Sequence, residues 1–288
     1  MRKIRVSSIR PLEPDRTAPT QENVDKYLPH VLELLDRAGN DKTDIAVLPE
    51  DYFYMAKVNE AVELPCDIID RAGAIARKFG MYVIFPVIEQ RAGKRYNTSL
   101  IIDRKGAVVG RYDKAHLTPG EKDNCGLTPG DDLPVFDLDF GKIGIVTCYE
   151  IYFQEMARIL ALKGAEIIFF PHQIAEPGEV FWETLVKARA ADNCVYMVAC
   201  SFGVPTGMAW HPGRNDGHYA HDGYYRNIIV GIDGEKVADG GYEVGMTTAD
   251  IDLDASRMVY NIGFYGCSDL KEQIFEFRRP ELYGDLCK

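Results

Sequence analysis

The feature that most restricts the fold is a rhythm. Strand-sized apolar runs alternate with stretches that carry apolar side chains at helical spacing. KIGIVTC (142–148), AEIIFFP (165–171) and VYMVACS (195–201) are three such runs. Between them lie a helical pattern through Met156, Ile159, Leu160 and Leu162 that stops at Gly164, and a second at about 179–193. Nearly continuous apolar strands joined by helices belong to sheets buried on both faces, because the crossover helices cover those faces.

The N-terminal part keeps the same rhythm. IRVSSIR (4–10) and DIAVLPE (44–50) read as strands around a helix at 20–38, with Val24, Leu28, Val31, Leu32 and Leu35 on one face and Gly39 as its stop. A second helix starts near Pro65, carries Ile68, Ile69, Ala72, Ile75, Ala76 and Phe79, and stops at Gly80 ahead of the strand MYVIFPVIE (81–89). Hairpins interrupt the alternation: YNTSLIID (96–103) with AVVGRYD (107–113), and NIIVGIDGEKVAD (227–239) around an Asp-Gly turn. MTTADIDL (246–253) is a last strand. The expectation is one α/β domain with mixed sheets, a core at about 4–254 and an irregular tail at 255–288 that packs on a partner subunit. No internal sequence repeat is visible.

Composition removes several function classes. A chain of 288 residues can bury a core without disulfide or metal staples. The net charge of −11 repels phosphate backbones and anionic lipid, which disfavours nucleic-acid and membrane-surface binding. No apolar run approaches the roughly 18 residues of a membrane span. The basic start MRKIRVSSIRPLEPD lacks the apolar stretch of a signal peptide. Seven cysteines, an odd number without any CxxC, suggest reduced thiols in a cytoplasmic protein, at most one of them catalytic. Phosphate-loop, dinucleotide and GxSxG signatures are absent.

Three reactive side chains follow strand-like runs: Glu50 after VLP, Lys114 in GRYDKAHL and Cys148 after GIVT. Ligands in α/β sheets bind beyond the carboxyl ends of strands. If Glu50 and Cys148 lie on neighbouring parallel strands, both face that rim. A carboxylate can take the thiol proton and an ammonium can lower the thiol pKa. The ammonium and the Tyr149 N–H can face an oxyanion. Carboxylate, ammonium and thiol together suit acyl transfer from a carbon–nitrogen bond. Each residue alone also reads as a buried small hydrophobe or a solvated charge.

VLPEDYF (47–53), GRYDKAHL (110–117) and GIVTCYEIYFQE (144–155) occur in the order of the three signature segments of the nitrilase superfamily of carbon–nitrogen hydrolases, and the chain resembles that family. WETLVKARAADN (182–193) and the late hairpin continue the resemblance over about residues 4–254. It implies a four-layer-forming αββα sandwich that pairs into homodimers or higher homo-oligomers, with a small-molecule substrate and no cofactor or metal. Its catalytic Glu, Lys and Cys correspond to Glu50, Lys114 and Cys148. A second family glutamate corresponds to Glu121, with a solvated loop charge as the alternative. Tyr54, Tyr149, Tyr152 and His172 are the candidate substrate contacts, with Gln173 beside them. The 203–224 segment is a further candidate wall. A packed loop histidine is the alternative for His172.

Departures from the family pattern are local. Gln154 stands where the family often has proline, and Ile151 and Tyr152 stand where some N-carbamoyl hydrolases carry arginine. His211, Asp216, His218, His221 and Asp222 could hold zinc, but a pocket wall suits them better. Arg189 and Asp192 are expected in structural hydrogen bonds. The expected activity is hydrolysis of a non-peptide amide or N-carbamoyl group through a Cys148 thioester, releasing ammonia. Nitrile hydrolysis, acyl transfer and a non-catalytic scaffold are the alternatives.

Overall fold

A computed structural model of the chain describes residues 1–12, 20–51, 61–173, 179–203, 226–241, 243–256, 258–260 and 267–287. The first half runs β1 (Lys3–Arg10), α1 (Thr20–Asn40), β2 (Ile45–Val47), α2 (Asp67–Phe79), β3 (Tyr82–Arg91), β4 (Lys94–Ile102) and β5 (Val108–Asp113). The second runs β6 (Phe136–Leu138), β7 (Gly141–Ile145), α3 (Gln154–Leu162), β8 (Ile167–Pro171), α4 (Glu179–Asn193), β9 (Tyr196–Cys200), β10 (Ile228–Val230) and β11 (Lys236–Asp239). β12 (Gly245–Asp252), β13 (Met258–Tyr260), β14 (Cys267–Asp269) and α5 (Leu270–Glu276) follow.

Two six-stranded mixed sheets form, in the orders β12-β1-β2-β3-β4-β5 and β6-β7-β8-β9-β10-β11. Both run through the same pairings: antiparallel, parallel, parallel, antiparallel, antiparallel. The chain therefore repeats a topology without repeating a sequence, since a pleated pairing pattern tolerates any side chains of suitable size and polarity.

Period-two alternation decides what each sheet face meets. On β3, Val83, Phe85 and Val87 join Leu28, Val31, Leu35, Ile69 and Ala72 of α1 and α2. Tyr82 and Ile84 point the other way, into a core shared with Ile143, Ile145, Phe169 and Val198 of the second sheet. The far face of that sheet meets Leu160 of α3 and Trp182 and Val186 of α4 within the same cluster. This is the αββα sandwich. At the β1, β2 and β9 tips the sheets also join by polar contacts: Ser8 Oγ donates to the Ala199 carbonyl at 2.7 Å, and the Cys200 thiol lies 3.1 Å from Ile9 O and 3.2 Å from Val47 O.

Two expectations are corrected. Gly39 does not stop the first helix, which runs on to Asn40. Its missing Cβ makes room for Phe79, whose Cδ2 would lie 2.2 Å from one. Gly80 does act as a stop, with a left-handed φ of 65°. The tail is not irregular: β13 pairs with β14, and α5 continues into short 3₁₀ turns at Pro280–Leu282 and Gly284–Cys287. These lie over α3 and α4 of their own chain around a cavity of about 470 Å³ lined by Arg158, Arg189, Phe277 and Tyr283. Among the described residues, no helix is long and apolar enough to cross a membrane.

Candidate active site

Glu50 and Cys148 do not sit on neighbouring strands. Glu50 follows β2 in the first sheet, whereas Cys148 follows β7 in the second. The sandwich brings them together across the interface between the sheets. Nor does Cys148 end its strand. β7 stops at Ile145, and Cys148 opens a 3₁₀ turn, Cys148–Tyr152, with a φ of 51°. A non-glycine residue in the left-handed region is held there against an intrinsic cost of about 1–3 kcal/mol. The turn exposes part of Cys148 and Tyr149, while Thr147 and Glu150 on either side stay buried.

Lys114 lies one residue beyond β5 and keeps the ladder going, its N–H donating to the Asn97 carbonyl at 2.8 Å. Its ammonium is buried and fully engaged. Nζ donates to Glu50 Oε1 at 2.9 Å and lies 2.8 and 2.9 Å from the two oxygens of Glu121. Burial on its own would push the lysine pKa down. The charges of Glu50 and Glu121 outweigh it and hold Lys114 well above the ordinary lysine range. Burial likewise works to raise Glu121, yet Lys114 and the Thr118 N–H overcome it and hold its carboxyl below the usual range.

Glu121 is therefore part of the cluster and not a solvated charge. Thr118 and Glu121 form a reciprocal cap: Thr118 N–H donates to Glu121 Oε2 at 2.8 Å, and Glu121 N–H donates to Thr118 Oγ1 at 3.2 Å. This is the Thr-x-x-Glu spacing of a capping box.

The thiol corrects a further expectation. Burial first, and the charge of Glu50 second, push the Cys148 pKa well up; Lys114 and the Gln173 N–H pull the other way and lose. The resting sulfur is a thiol beside a carboxylate, not a preformed thiolate. Gln173 also ties the loop after β8 to the site, its Nε2 donating to the Glu50 carbonyl at 2.9 Å.

Two participants escaped the sequence argument. Asn97, in β4, donates its side-chain amide to Glu50 and Glu121. Nothing local to its sequence marks it. Glu150 is fully buried and gathers donors from both sides of the site: Tyr112 Oη at 2.6 Å, Ala115 N at 2.8 Å, His116 N at 3.0 Å and Thr147 N at 2.8 Å. It thus staples the Lys114 segment to the Cys148 turn. Its Thr147-x-x-Glu150 spacing was a readable signal. Replacing Glu150 by leucine strands a hydroxyl and three main-chain N–H groups, each worth about 1–3 kcal/mol if left unpaired. We expect a stability loss of at least about 3 kcal/mol in urea unfolding, against about 1 kcal/mol for Tyr112→Phe. Equal losses would mean that the N–H groups find other acceptors.

The candidate substrate contacts separate. Tyr149 and Tyr152 stay on the Cys148 turn, their rings 5.7 Å apart, and Tyr152 continues to Phe181 at 6.1 Å. His172 does not reach a pocket surface. It is fully buried, stacked on Phe170 at 4.5 Å and close to Trp182, and burial pushes its pKa down to about 3. It packs the wall from behind as a neutral ring. Arg189 holds the same turn from α4, donating to the Ile151 carbonyl at 3.1 Å. Asp192 accepts through its main-chain carbonyl, from Arg158 Nη2 at 2.7 Å. Tyr54 and the histidines and aspartates at 211–222 lie outside the described residues.

Residues 8–260 match the carbon–nitrogen hydrolase family. The chain belongs to that family, within the nitrilase superfamily. This carbon–nitrogen hydrolase is 30% identical to omega-amidase NIT2 of Xenopus tropicalis over 234 residues, 77% of this chain and 81% of the relative. It is 29% identical to human deaminated glutathione amidase over 275 residues, 88% and 78% of the two chains. The fold superposes on a carbon–nitrogen hydrolase of Helicobacter pylori G27 with a TM-score of 0.75 at 24% identity, covering 100% of this chain and 99% of that one.

Proposed function

We propose that this carbon–nitrogen hydrolase cleaves a primary amide of a small carboxylic acid, releasing ammonia through a thioester on Cys148. The observation that carries the reading is the convergence of Glu50, Lys114, Glu121 and Cys148 from two sheets onto one buried cluster. Similarity to an omega-amidase and to deaminated glutathione amidase supports the amide over the nitrile.

The steps follow from the groups present. Cys148 Sγ attacks the carbonyl carbon while its proton passes to the Glu50 carboxylate. The carbonyl electron pair moves onto oxygen. The Tyr149 N–H donates to that oxyanion, and Lys114, whose hydrogens are already taken by carboxylates, steadies it through charge. Glu50 returns the proton to the departing amine, the C–N bond breaks, and ammonia leaves. A water deprotonated by Glu50 then cleaves the thioester. Because the resting thiol is protonated, Glu50 must act as a general base during attack. Tyr149 and Tyr152 line the entrance in this reading. The odd number of cysteines, without any CxxC, suits a cytoplasmic setting. The exposed Phe277, Leu282 and Leu286 of the tail suit assembly into a homodimer or larger homo-oligomer.

Ammonia release from succinamate, an N-carbamoyl amino acid, a simple nitrile and a simple amide tests the proposal. Succinamate is expected to turn over at least roughly tenfold faster than the carbamoyl compound and the nitrile, a difference of about 1.4 kcal/mol in barrier. Intact-mass measurement during turnover is expected to show the acyl adduct on Cys148. Release from the nitrile alone, or no adduct under conditions of turnover, sinks it.

A further inference from the structure

Asn97 is buried in β4, directly across the ladder from Lys114. Its amide nitrogen lies 2.8 Å from Glu50 Oε1 and 3.0 Å from Glu121 Oε1. Lys114 Nζ meets the same two oxygens at 2.9 and 2.8 Å. Two donors and two acceptors therefore alternate around a closed square. The amide cannot be turned over, because its oxygen would then face two carboxylate oxygens. Asn97 Oδ1 points away and has no hydrogen-bond partner among the described residues. Burying an amide oxygen in that way is unfavourable. An apolar residue would suit the fold better unless the N–H groups were needed where they are.

We propose that Asn97 is a positioning residue for the reaction: with Lys114 it occupies Glu50 Oε1, leaves Oε2 to the Cys148 thiol, and favours the charged carboxylate that a base requires. The inference rests on the preceding reading, in which Glu50 takes the thiol proton. Without Asn97, Oε1 regains an unshared lone pair and the carboxylate can rotate. Either oxygen could then accept, and one of the two faces away from the sulfur. Loss of a donor to the charged form also raises the pKa of a carboxyl group. The titratable groups gathered on the cluster are Glu50 beyond β2, Lys114 beyond β5, Glu121 on the 120–124 turn and Cys148 beyond β7. Of these, Glu50 is the one whose protonation would stop the attack on the acid side.

The test is the pH profile of kcat/KM for succinamate in Asn97→Leu and Asn97→Asp beside the wild-type enzyme. Leucine has the same branched skeleton of four heavy atoms and no donor. Aspartate has the same shape and turns an acceptor toward two acceptors. In Asn97→Leu the acid limb is expected to move up by about one pH unit, with kcat at neutral pH roughly tenfold lower and KM within about threefold. Asn97→Asp is expected to move it further, since a third carboxylate joins the cluster. A role in packing alone predicts that Asn97→Leu leaves the acid limb where the wild-type enzyme has it. That result, or a fall in kcat in both variants with the acid limb unmoved, overturns the proposal. Thermal unfolding of each variant shows that the assayed protein is folded. Cys148→Ala, run in parallel, separates the two levels. If it hydrolyses succinamate at the wild-type rate, the thioester reading fails. If it is inactive and the Asn97 profiles stay put, only the present inference fails.

Discussion

Replacing Cys148 by alanine is expected to lower kcat/KM for the amide substrate by roughly 10⁵-fold or more, the scale seen when a covalent nucleophile is removed. No other described side chain can stand in. Cys200 is fully buried between the sheet tips, and burial pushes its thiol up to about 12. The stability of Cys148→Ala is expected to change by less than about 1 kcal/mol, because alanine keeps the backbone conformation and loses one sulfur. Cys148→Gly makes the point from the other side. At a φ of 51° glycine carries no Cβ penalty, so the inactive variant is expected to gain up to about 1 kcal/mol in stability. Strain at the nucleophile is then part of what presents the sulfur. Combining Cys148→Ala with Glu50→Gln is expected to cost no more activity than Cys148→Ala alone, because base and nucleophile act as one unit. Residual hydrolysis above one per cent in Cys148→Ala would remove the thiol from the mechanism.

Lys114→Met is expected to have the second largest effect, and on two observables. The oxyanion loses its nearest positive charge, which places the fall in kcat at roughly 10²–10³-fold. Glu50 and Glu121 also lose the ammonium that neutralises them. Breaking a buried ion cluster by removing one partner costs about 3–5 kcal/mol. The pH dependence has a definite sign. In the wild-type protein, Glu121 is held below its ordinary range, so its contribution is present above the unfolded glutamate pKa and fades as pH falls. Lys114 is held above its range, so its contribution is present below the unfolded lysine pKa and is lost as pH rises through the folded one. Between those limits the cluster is fully stabilising. In Lys114→Met, Glu121 faces a neighbouring carboxylate without a cation, and its folded pKa rises. Stability then persists at low pH and is lost as pH rises. The gap between variant and wild-type protein in urea unfolding should accordingly be wider at pH 8 than at pH 5. A gap independent of pH would mean that the two carboxylates are neutralised by some other group.

How far these residues could be found in advance varies with the range of the interaction that marks them. The helices and most strands were legible because apolar period and turn residues act within a few positions. The β7, β8 and β9 runs and the 179–193 helix are in place. Gly80 stops its helix and Gly39 does not, since only contact with Phe79 distinguishes the two. Glu150 and Glu121 both carried a capping-box spacing, a local signal open to anyone counting three residues from threonine. Asn97 carried none, because its partners are 47 and 24 positions away. His172 looked like a pocket residue in a polar loop, and only its aromatic neighbours show that it is packing.

The sequence by itself determined the alternation of strand and helix, the family, and the three candidate reactive side chains, because each is written in short segments whose chemistry does not depend on distant residues. Tertiary structure decided everything that depends on which surfaces meet. It joined Glu50 and Cys148 from opposite sheets and placed three carboxylate oxygens around one ammonium. It also reversed the expected shift of the thiol. The physical reason is that a charge's effect scales with distance and with the solvent removed around it, and both are set only when the two sheets close on each other.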